Sequence, residues 1–164
     1  MYRIDRTHIK KDDALYPYLL DCSNKARCLY NATLFRIRQN YTSYDKDHLT
    51  ANEQQVFDEL TLLKLEGKHR VLNYYTLEKL MRITQNPDFF AGLSMQTAQN
   101  VIKQAAGDFT NWLTTLTDYK KNPGKYKAMP RMPHYKRPDS LCDFKFTNQD
   151  AHFSKDNVLL AEDF

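Results

Sequence analysis

One long helical repeat of apolar side chains constrains this chain more than any other feature of its sequence. After Ser94, apolar residues recur every three or four positions for about six turns. They are Met95, Ala98, Ile102, Ala105, Phe109, Trp112, Leu113 and Leu116. Because serine is a favoured N-cap residue, we predict a helix that begins there and buries this stripe against other helices. The opposite face is rich in amides, and its members are Gln96, Gln99, Asn100, Lys103 and Gln104.

Three further helices are predicted before this one. Proline is tolerated in a first turn, so the first helix begins near Pro17. A capping box, Thr50 followed by Glu53, opens a second helix that runs to about Glu66. A third helix covers roughly residues 75–84.

Short segments with a period of two flank the helices and predict strands. Residues 2–9 alternate, as do residues 144–146, and residues 151–154 and 158–161 have the composition of two more short strands. The predicted fold class is therefore α+β, with a helical bundle inserted into a small sheet whose first strand is N-terminal.

Residues 119–138, which we name the basic segment, hold seven positive side chains and no negative ones. These cations are Lys120, Lys121, Lys125, Lys127, Arg131, Lys136 and Arg137. The whole chain has a net charge of +4, so the residues outside the basic segment have a net charge of −3. Concentrated cations favour polyanions because each neutralised phosphate releases counterions. Tyr126 and Tyr135 add flat faces on which bases can stack.

No group of side chains in the sequence matches a complete active site. The acidic residues are spread over predicted helix surfaces, and the five histidines lack ligand spacing. The three cysteines have no CxxC spacing, which favours reduced thiols in a cytoplasmic protein. The sequence contains no run of about 20 apolar residues, which is the length that a membrane-spanning helix needs. We therefore expect no metal, no cofactor and no membrane partner for these 164 residues.

Four segments resemble, in order, the TnpB proteins, which are transposon-encoded, RNA-guided DNA endonucleases related to compact type V CRISPR nucleases. Residues 26–31 (ARCLYN) resemble the signature of their first helix, and residues 99–113 resemble a later helix of their recognition lobe. Residues 130–136 (PRMPHYK) resemble their G-x-P-R-F-K segment, and residues 146–149 (FTNQ) resemble the start of their next strand.

The resemblance implies a wedge β-barrel, incomplete here, that is split by a helical recognition domain. The implied boundaries are a wedge strand at residues 1–10, the recognition domain at residues 11–120, and a basic connector with wedge strands at residues 121–164. The family's RuvC-like nuclease domain, with its Mg²⁺ and Zn²⁺ sites, has no counterpart in these residues. The chain is therefore expected to bind guide RNA and target DNA without cutting by itself, in a prokaryotic cytoplasm at the nucleoid.

The resemblance also implies roles for individual residues. Those expected to read the DNA motif beside the target are Tyr74, Tyr75, Glu78, Met95, Gln96, Gln99, Thr147 and Asn148. Lys103 joins the cations of the basic segment as a contact to RNA or DNA backbone.

Several alternatives stay open on the sequence. The chain could be a nuclease-free regulator that binds DNA or an RNA-guided complex, or a plain helical DNA-binding protein that binds as a dimer. It could also need a separate chain to complete a nuclease, or self-associate through open wedge edges. The simplest alternative is a helical interaction module whose basic segment is only solvated.

Overall fold

The computed structural model describes residues 6–64, 69–153 and 158–160. Its four α-helices are α1 (Tyr16–Ser43), α2 (Ala51–Thr61), α3 (Tyr74–Ile83) and α4 (Met95–Lys121). A 3₁₀ turn, Pro123–Lys125, follows α4. Two strands, β1 (Ala151–Phe153) and β2 (Val158–Leu160), pair antiparallel with Ala151 opposite Leu160.

Helices α1 and α4 form the centre of the core, as their apolar stripes predict. Pro17 lies in the first turn of α1, where its missing N–H costs nothing. The buried apolar side chains of the two helices are Cys22, Ala26, Leu29, Tyr30, Leu34, Ile37, Ala98, Val101, Ile102, Ala105, Phe109 and Leu116. Met95, which the stripe includes, is 39% exposed because it lies in the first turn of α4, at the edge of the core.

Helices α3 and α4 begin at the polar caps expected for such sequences. Asn73 accepts a hydrogen bond from the Thr76 amide, and Ser94 accepts one from the Thr97 amide. Each cap satisfies an N–H that has no partner within its helix. The predicted N-cap at Ser94 is confirmed, and α3 begins one residue earlier than predicted.

Helix α2 begins at the predicted capping box but is shorter than predicted. It ends at Thr61 instead of near Glu66, and residues 65–68 lie outside the described part. Val56 is buried, whereas Phe57, the next residue, is 40% exposed.

The capping-box residue Glu53 is buried and is also the centre of a cluster of exposed polar residues. Its carboxylate accepts hydrogen bonds from Lys46 Nζ at 2.6 Å, the Thr50 amide at 3.0 Å and the Thr42 hydroxyl at 2.8 Å. The Lys46 bond, followed by the Thr50 and Thr42 bonds, lowers the pKa of Glu53 to about 2. The cluster joins the end of α1 to the start of α2.

This pKa predicts a pH-dependent contribution to stability. Because the folded pKa lies below the ordinary value of 4.5, the contribution is complete above pH 4.5 and is lost as the pH falls towards 2. We expect the free energy of unfolding of the wild type to fall more steeply than that of Glu53→Gln across this range. Urea unfolding at stepped pH measures both, and parallel curves would contradict the prediction.

The predicted α+β fold with a wedge β-barrel is wrong. The described residues form a helical protein, and their only β structure is the pair of three-residue strands β1 and β2, which cannot close a barrel. Residues 6–10 are irregular, and the rest of the predicted N-terminal strand lies outside the described residues. Thr147 precedes the turn before β1, and Asn148 lies in that turn, so neither residue belongs to a strand.

The period of two at residues 144–146 has another cause than strand pairing. Phe144 packs against the helical core, and its ring meets Phe146 edge-on at 5.2 Å. Phe146 in turn stacks on Tyr18 of α1, with 6.3 Å between ring centroids. Both phenylalanines are therefore covered by the helical body and by each other, which gives the same sequence pattern as a half-buried strand.

Candidate nucleic-acid interface

Residues 130–142, which we name the strap, are bound to α1 and α4 through their main-chain carbonyls. The anchors, in order along the strap, are Trp112 to Pro130 O (3.2 Å), Arg38 to Pro133 O (3.3 Å), Asn31 to Lys136 O (2.9 Å), Arg27 to Ser140 O (3.2 Å) and Ser23 to Cys142 O (3.0 Å). Between Arg38 and Ser23, α1 spans about 22 Å. The strap covers this distance between Pro133 and Cys142. A helix with the same number of residues would span only about 14 Å, so the strap is largely extended.

Two of these anchors bind both the carbonyl and the amide of one strap residue. Asn31 Oδ1 accepts from the Lys136 amide at 2.8 Å, and Ser23 Oγ accepts from the Cys142 amide at 2.8 Å. Ser23 and Cys142 are buried, and burial raises the pKa of the Cys142 thiol. The strap is thus fixed through its backbone, and Arg131 and Arg137 keep exposed side chains.

Most cations of the basic segment project into solvent. Those that are exposed and have no ion pair within the described part of the chain are Lys120, Lys121, Lys127, Arg131 and Arg137. Lys125 instead pairs with Asp118 at 2.8 Å, and Lys136 lies 4.6 Å from the centroid of the Tyr30 ring. The seven cations that the sequence grouped together therefore divide into five free charges and two with intramolecular partners.

The two tyrosines expected to stack on bases have intramolecular contacts. The Tyr126 hydroxyl donates to Asp118, and its ring meets Tyr119 edge-on at 5.8 Å. The hydrogen bonds from Lys125 and Tyr126 hold the pKa of Asp118 well below its usual range. Tyr135 is 42% exposed, with the Arg38 guanidinium 4.9 Å from its ring centroid.

A second patch, which we name the α3/α4 cluster, lies where α3 packs along the first three turns of α4, from Tyr74 beside Lys103 to Arg82 beside Met95. Tyr75 is 78% exposed and meets Tyr74 edge-on at 5.1 Å. Lys103 Nζ lies 4.8 Å from the Tyr74 ring centroid. Burial and the Glu78 charge raise the pKa of Tyr74. Lys103 thus belongs with the residues expected to read DNA and not with the basic segment.

Glu78 connects the two helices of the α3/α4 cluster. Its carboxylate accepts a short hydrogen bond from Arg82 one turn later, and Gln99 Nε2 of α4 lies 3.4 Å from the same oxygen. Arg82 Nη2 also lies 3.3 Å from Met95 Sδ. The predicted motif-reading residues of α3 and α4 are therefore brought together around one carboxylate.

The turn before β1 attaches to the same end of α4. Gln96 donates to Gln149, while the Thr97 hydroxyl donates to the Lys145 carbonyl at 3.0 Å. Asp150 accepts from the Thr147 amide at 2.9 Å and lies 3.3 Å from the Thr97 hydroxyl.

Hydrogen bonds decide the ionisation of Asp150 in this turn. Burial alone would raise its pKa, but bonds from the Thr147 amide and from the Ser94, Thr147 and Thr97 side chains lower it. The carboxylate therefore stays charged and holds Thr147 beside α4. Asn148 is exposed at the tip of the turn.

The strap joins the two patches. It begins beside Trp112, and the Lys145 carbonyl that follows it reaches Thr97, which lies about 22 Å along α4 from Trp112. Of the five free cations, Arg131 and Arg137 lie on the strap itself. The sequence predicted most residues of each patch, but the prediction assigned Lys103 to the basic segment and did not include Arg82 or Gln149. The spacing of Glu78 and Arg82, four residues apart on a helix, was a signal for the first.

Comparison with known proteins gives no family for this chain: no protein-family model, curated protein or solved structure matches it. The resemblance to TnpB proteins stays a hypothesis that depends on the four sequence segments. Within the described residues, no group of three or more His, Cys, Asp or Glu side chains could hold a metal ion. No helix there is long and apolar enough to span a membrane.

Proposed function

We propose that this chain binds RNA and DNA as the recognition portion of a TnpB-like RNA-guided nuclease, and that it does not cut by itself. One observation carries the proposal: five cations of the basic segment are exposed, without ion pairs in the described residues, and two of them, Arg131 and Arg137, lie on a strap whose backbone is anchored. Because that backbone is already held, binding a phosphate there orders the side chain but not the main chain. A solvated linker would not need main-chain anchors along its length.

The proposal assigns affinity and sequence preference to different patches. Phosphate contacts position a nucleic acid without reading its sequence, and this role belongs to the basic segment. The α3/α4 cluster offers amides, a guanidinium and an exposed tyrosine, which are groups that contact bases. Guide RNA is the expected partner of the first patch, and a DNA motif is the expected partner of the second.

Fluorescence anisotropy tests the proposal directly. The purified chain is titrated against single-stranded RNA, duplex DNA and an RNA–DNA heteroduplex of about 20 base pairs, at salt from about 50 to 200 mM. We expect the logarithm of the association constant to fall linearly with the logarithm of salt concentration. The proposal would be rejected if the chain bound none of these three nucleic acids, or if its affinity did not change with salt concentration.

The same experiment separates the proposal from its alternatives. Sequence-specific binding to duplex DNA by a dimer, with no preference for RNA or heteroduplex, would favour a plain helical DNA-binding protein. RNA that co-purifies with the chain would favour an RNA-guided role, either as recognition portion or as regulator. Magnesium-dependent cutting by this chain alone would contradict the non-catalytic assignment.

Gln99→Ala tests the proposed reading role of α4. Gln99 is half-buried outside the hydrophobic core, and its side-chain amide lies 3.4 Å from the Glu78 carboxylate, so its replacement leaves the core intact. We expect a changed preference among duplexes that differ at single base pairs, by about 5- to 10-fold at one position. Equal weakening for all sequences would show that Gln99 does not read bases.

A further inference from the structure

One exposed charged group of the α3/α4 cluster, Arg82, was singled out by neither composition nor resemblance. Arg82 lies in the last turn of α3, seven residues after Tyr75 and four after Glu78, so the three share one helix face. Its side chain is 44% exposed, against 18% for Glu78. The cation, and not the carboxylate, is therefore the group that a partner would meet.

Three neighbours hold the guanidinium in place. Its Nε donates to Glu78, its Nη2 lies 3.3 Å from Met95 Sδ, and its central carbon lies 5.4 Å from the Phe89 ring centroid. An exposed ion pair within one helix usually contributes little to stability, but here the Glu78 carboxylate also accepts a hydrogen bond from Gln99 of α4. Met95 and Phe89 further restrict the arginine, which reduces the entropy it would lose on binding.

The end of the guanidinium remains unused. Arginine carries five N–H donors, and the Glu78 and Met95 contacts use one on Nε and one on Nη2. Both donors on Nη1 and one on Nη2 have no partner among the described residues. Two parallel donors at the end of a guanidinium match the O6 and N7 acceptors of guanine in a major groove. Tyr75, seven residues before Arg82 on the same face of α3, offers a ring on which a neighbouring base can stack.

We propose that Arg82 reads a guanine of duplex DNA through its Nη1 and Nη2 atoms, and that Glu78 is the positioning residue for it. This inference rests on the proposed function and specifies its DNA-reading patch. The Glu78 carboxylate orients the fork and offsets part of its charge, which limits attraction to phosphates in general. A lysine at this position would keep the charge without the two-pronged geometry.

The test uses the full chain and a pool of duplex DNAs with a randomised central block, whose bound fraction is sequenced. We expect the wild type to enrich guanine at one position by about 10-fold. Arg82→Ala and Arg82→Lys should both lose that enrichment, whereas Arg82→Lys should keep the affinity for a fixed duplex of unrelated sequence. Lys79→Ala is the matched control, because Lys79 is an exposed cation on the same helix without a hydrogen bond or ion pair among the described residues.

The possible results separate this inference from the proposed function. Salt-dependent binding by the wild type without guanine enrichment at any position would overturn the role of Arg82 and leave the proposed function standing. No nucleic-acid binding at all would reject both. Guanine enrichment that survives in Arg82→Lys, or falls equally in Lys79→Ala, would show a charge effect and overturn the inference. Glu78→Gln should reduce enrichment and increase affinity for the unrelated duplex, and unchanged values for both would reject its positioning role.

Discussion

Glu59→Ala is expected to lower the free energy of unfolding by about 3 kcal/mol, the largest loss that we predict for a single polar side chain here. Arg36 Nε and Nη2 donate to the two Glu59 oxygens at 2.8 and 3.0 Å, which joins α1 to α2. The side chains are only 7% and 15% exposed. Removal of the carboxylate leaves a buried guanidinium with one remaining hydrogen bond among the described residues, to the Ala32 carbonyl. Urea unfolding followed by circular dichroism measures the loss.

Asp58→Ala is the matched control, because it removes the neighbouring carboxylate from the exposed side of α2. Asp58 accepts a bond from Gln54 at the surface, so we expect a change within about 0.5 kcal/mol. Replacing Arg36 and Glu59 together by leucine should recover most of the stability, since no charge is then left unpaired. Equal destabilisation by Glu59→Ala and Asp58→Ala would show that the buried pair does not hold α2.

The helices of this fold could be predicted because their signals are local. The Thr50–Glu53 capping box and the Ser94 cap are set by side chains within one turn of the amides they bind. The stripe from Ala98 to Leu116 repeats often enough to identify a buried face. Each of these features depends on residues close in sequence, so one chain is enough to find them.

The strap and the missing barrel could not be predicted, because both depend on contacts between distant residues. Phe144 and Phe146 alternate like a strand, yet their partners are the core and Tyr18. Nothing in the sequence of the basic segment indicates that Asn31, 105 positions earlier, binds the amide and carbonyl of Lys136. Side-chain capture of an extended backbone leaves no periodic pattern in a sequence.

The candidate site was predictable in part. The α3 and α4 residues expected to read DNA do come together, because Glu78 reaches Gln99 from the neighbouring helix. The basic segment was expected to act as a unit, but Asp118 pairs with Lys125 and Tyr30 lies under Lys136. Charge counted along a sequence does not show which charges are already paired.

The triple variant Lys127→Ala, Arg131→Ala and Arg137→Ala is expected to weaken binding to duplex DNA by about 100-fold at physiological salt. All three cations are exposed and have no ion pair in the described part of the chain. If each contacts one phosphate, the slope of log affinity against log salt should decrease in magnitude by about 3. The strap should keep its place, because Asn31 and Ser23 bind main-chain atoms that the substitutions leave unchanged. Anisotropy titrations over a salt series measure both quantities.

Two control variants make this result specific. Alanine at Lys10, Lys11 and Lys64 removes the same formal charge from exposed positions outside the basic segment, and should change affinity by only a few fold. Alanine at Lys125 and Lys136 should cost less per charge than the triple variant, because Asp118 and Tyr30 already engage these side chains. If both triple variants weaken binding equally, net charge and not the basic segment attracts the nucleic acid. If Lys125 and Lys136 account for most of the loss, the intramolecular contacts must break on binding, and the division into free and engaged cations would be wrong.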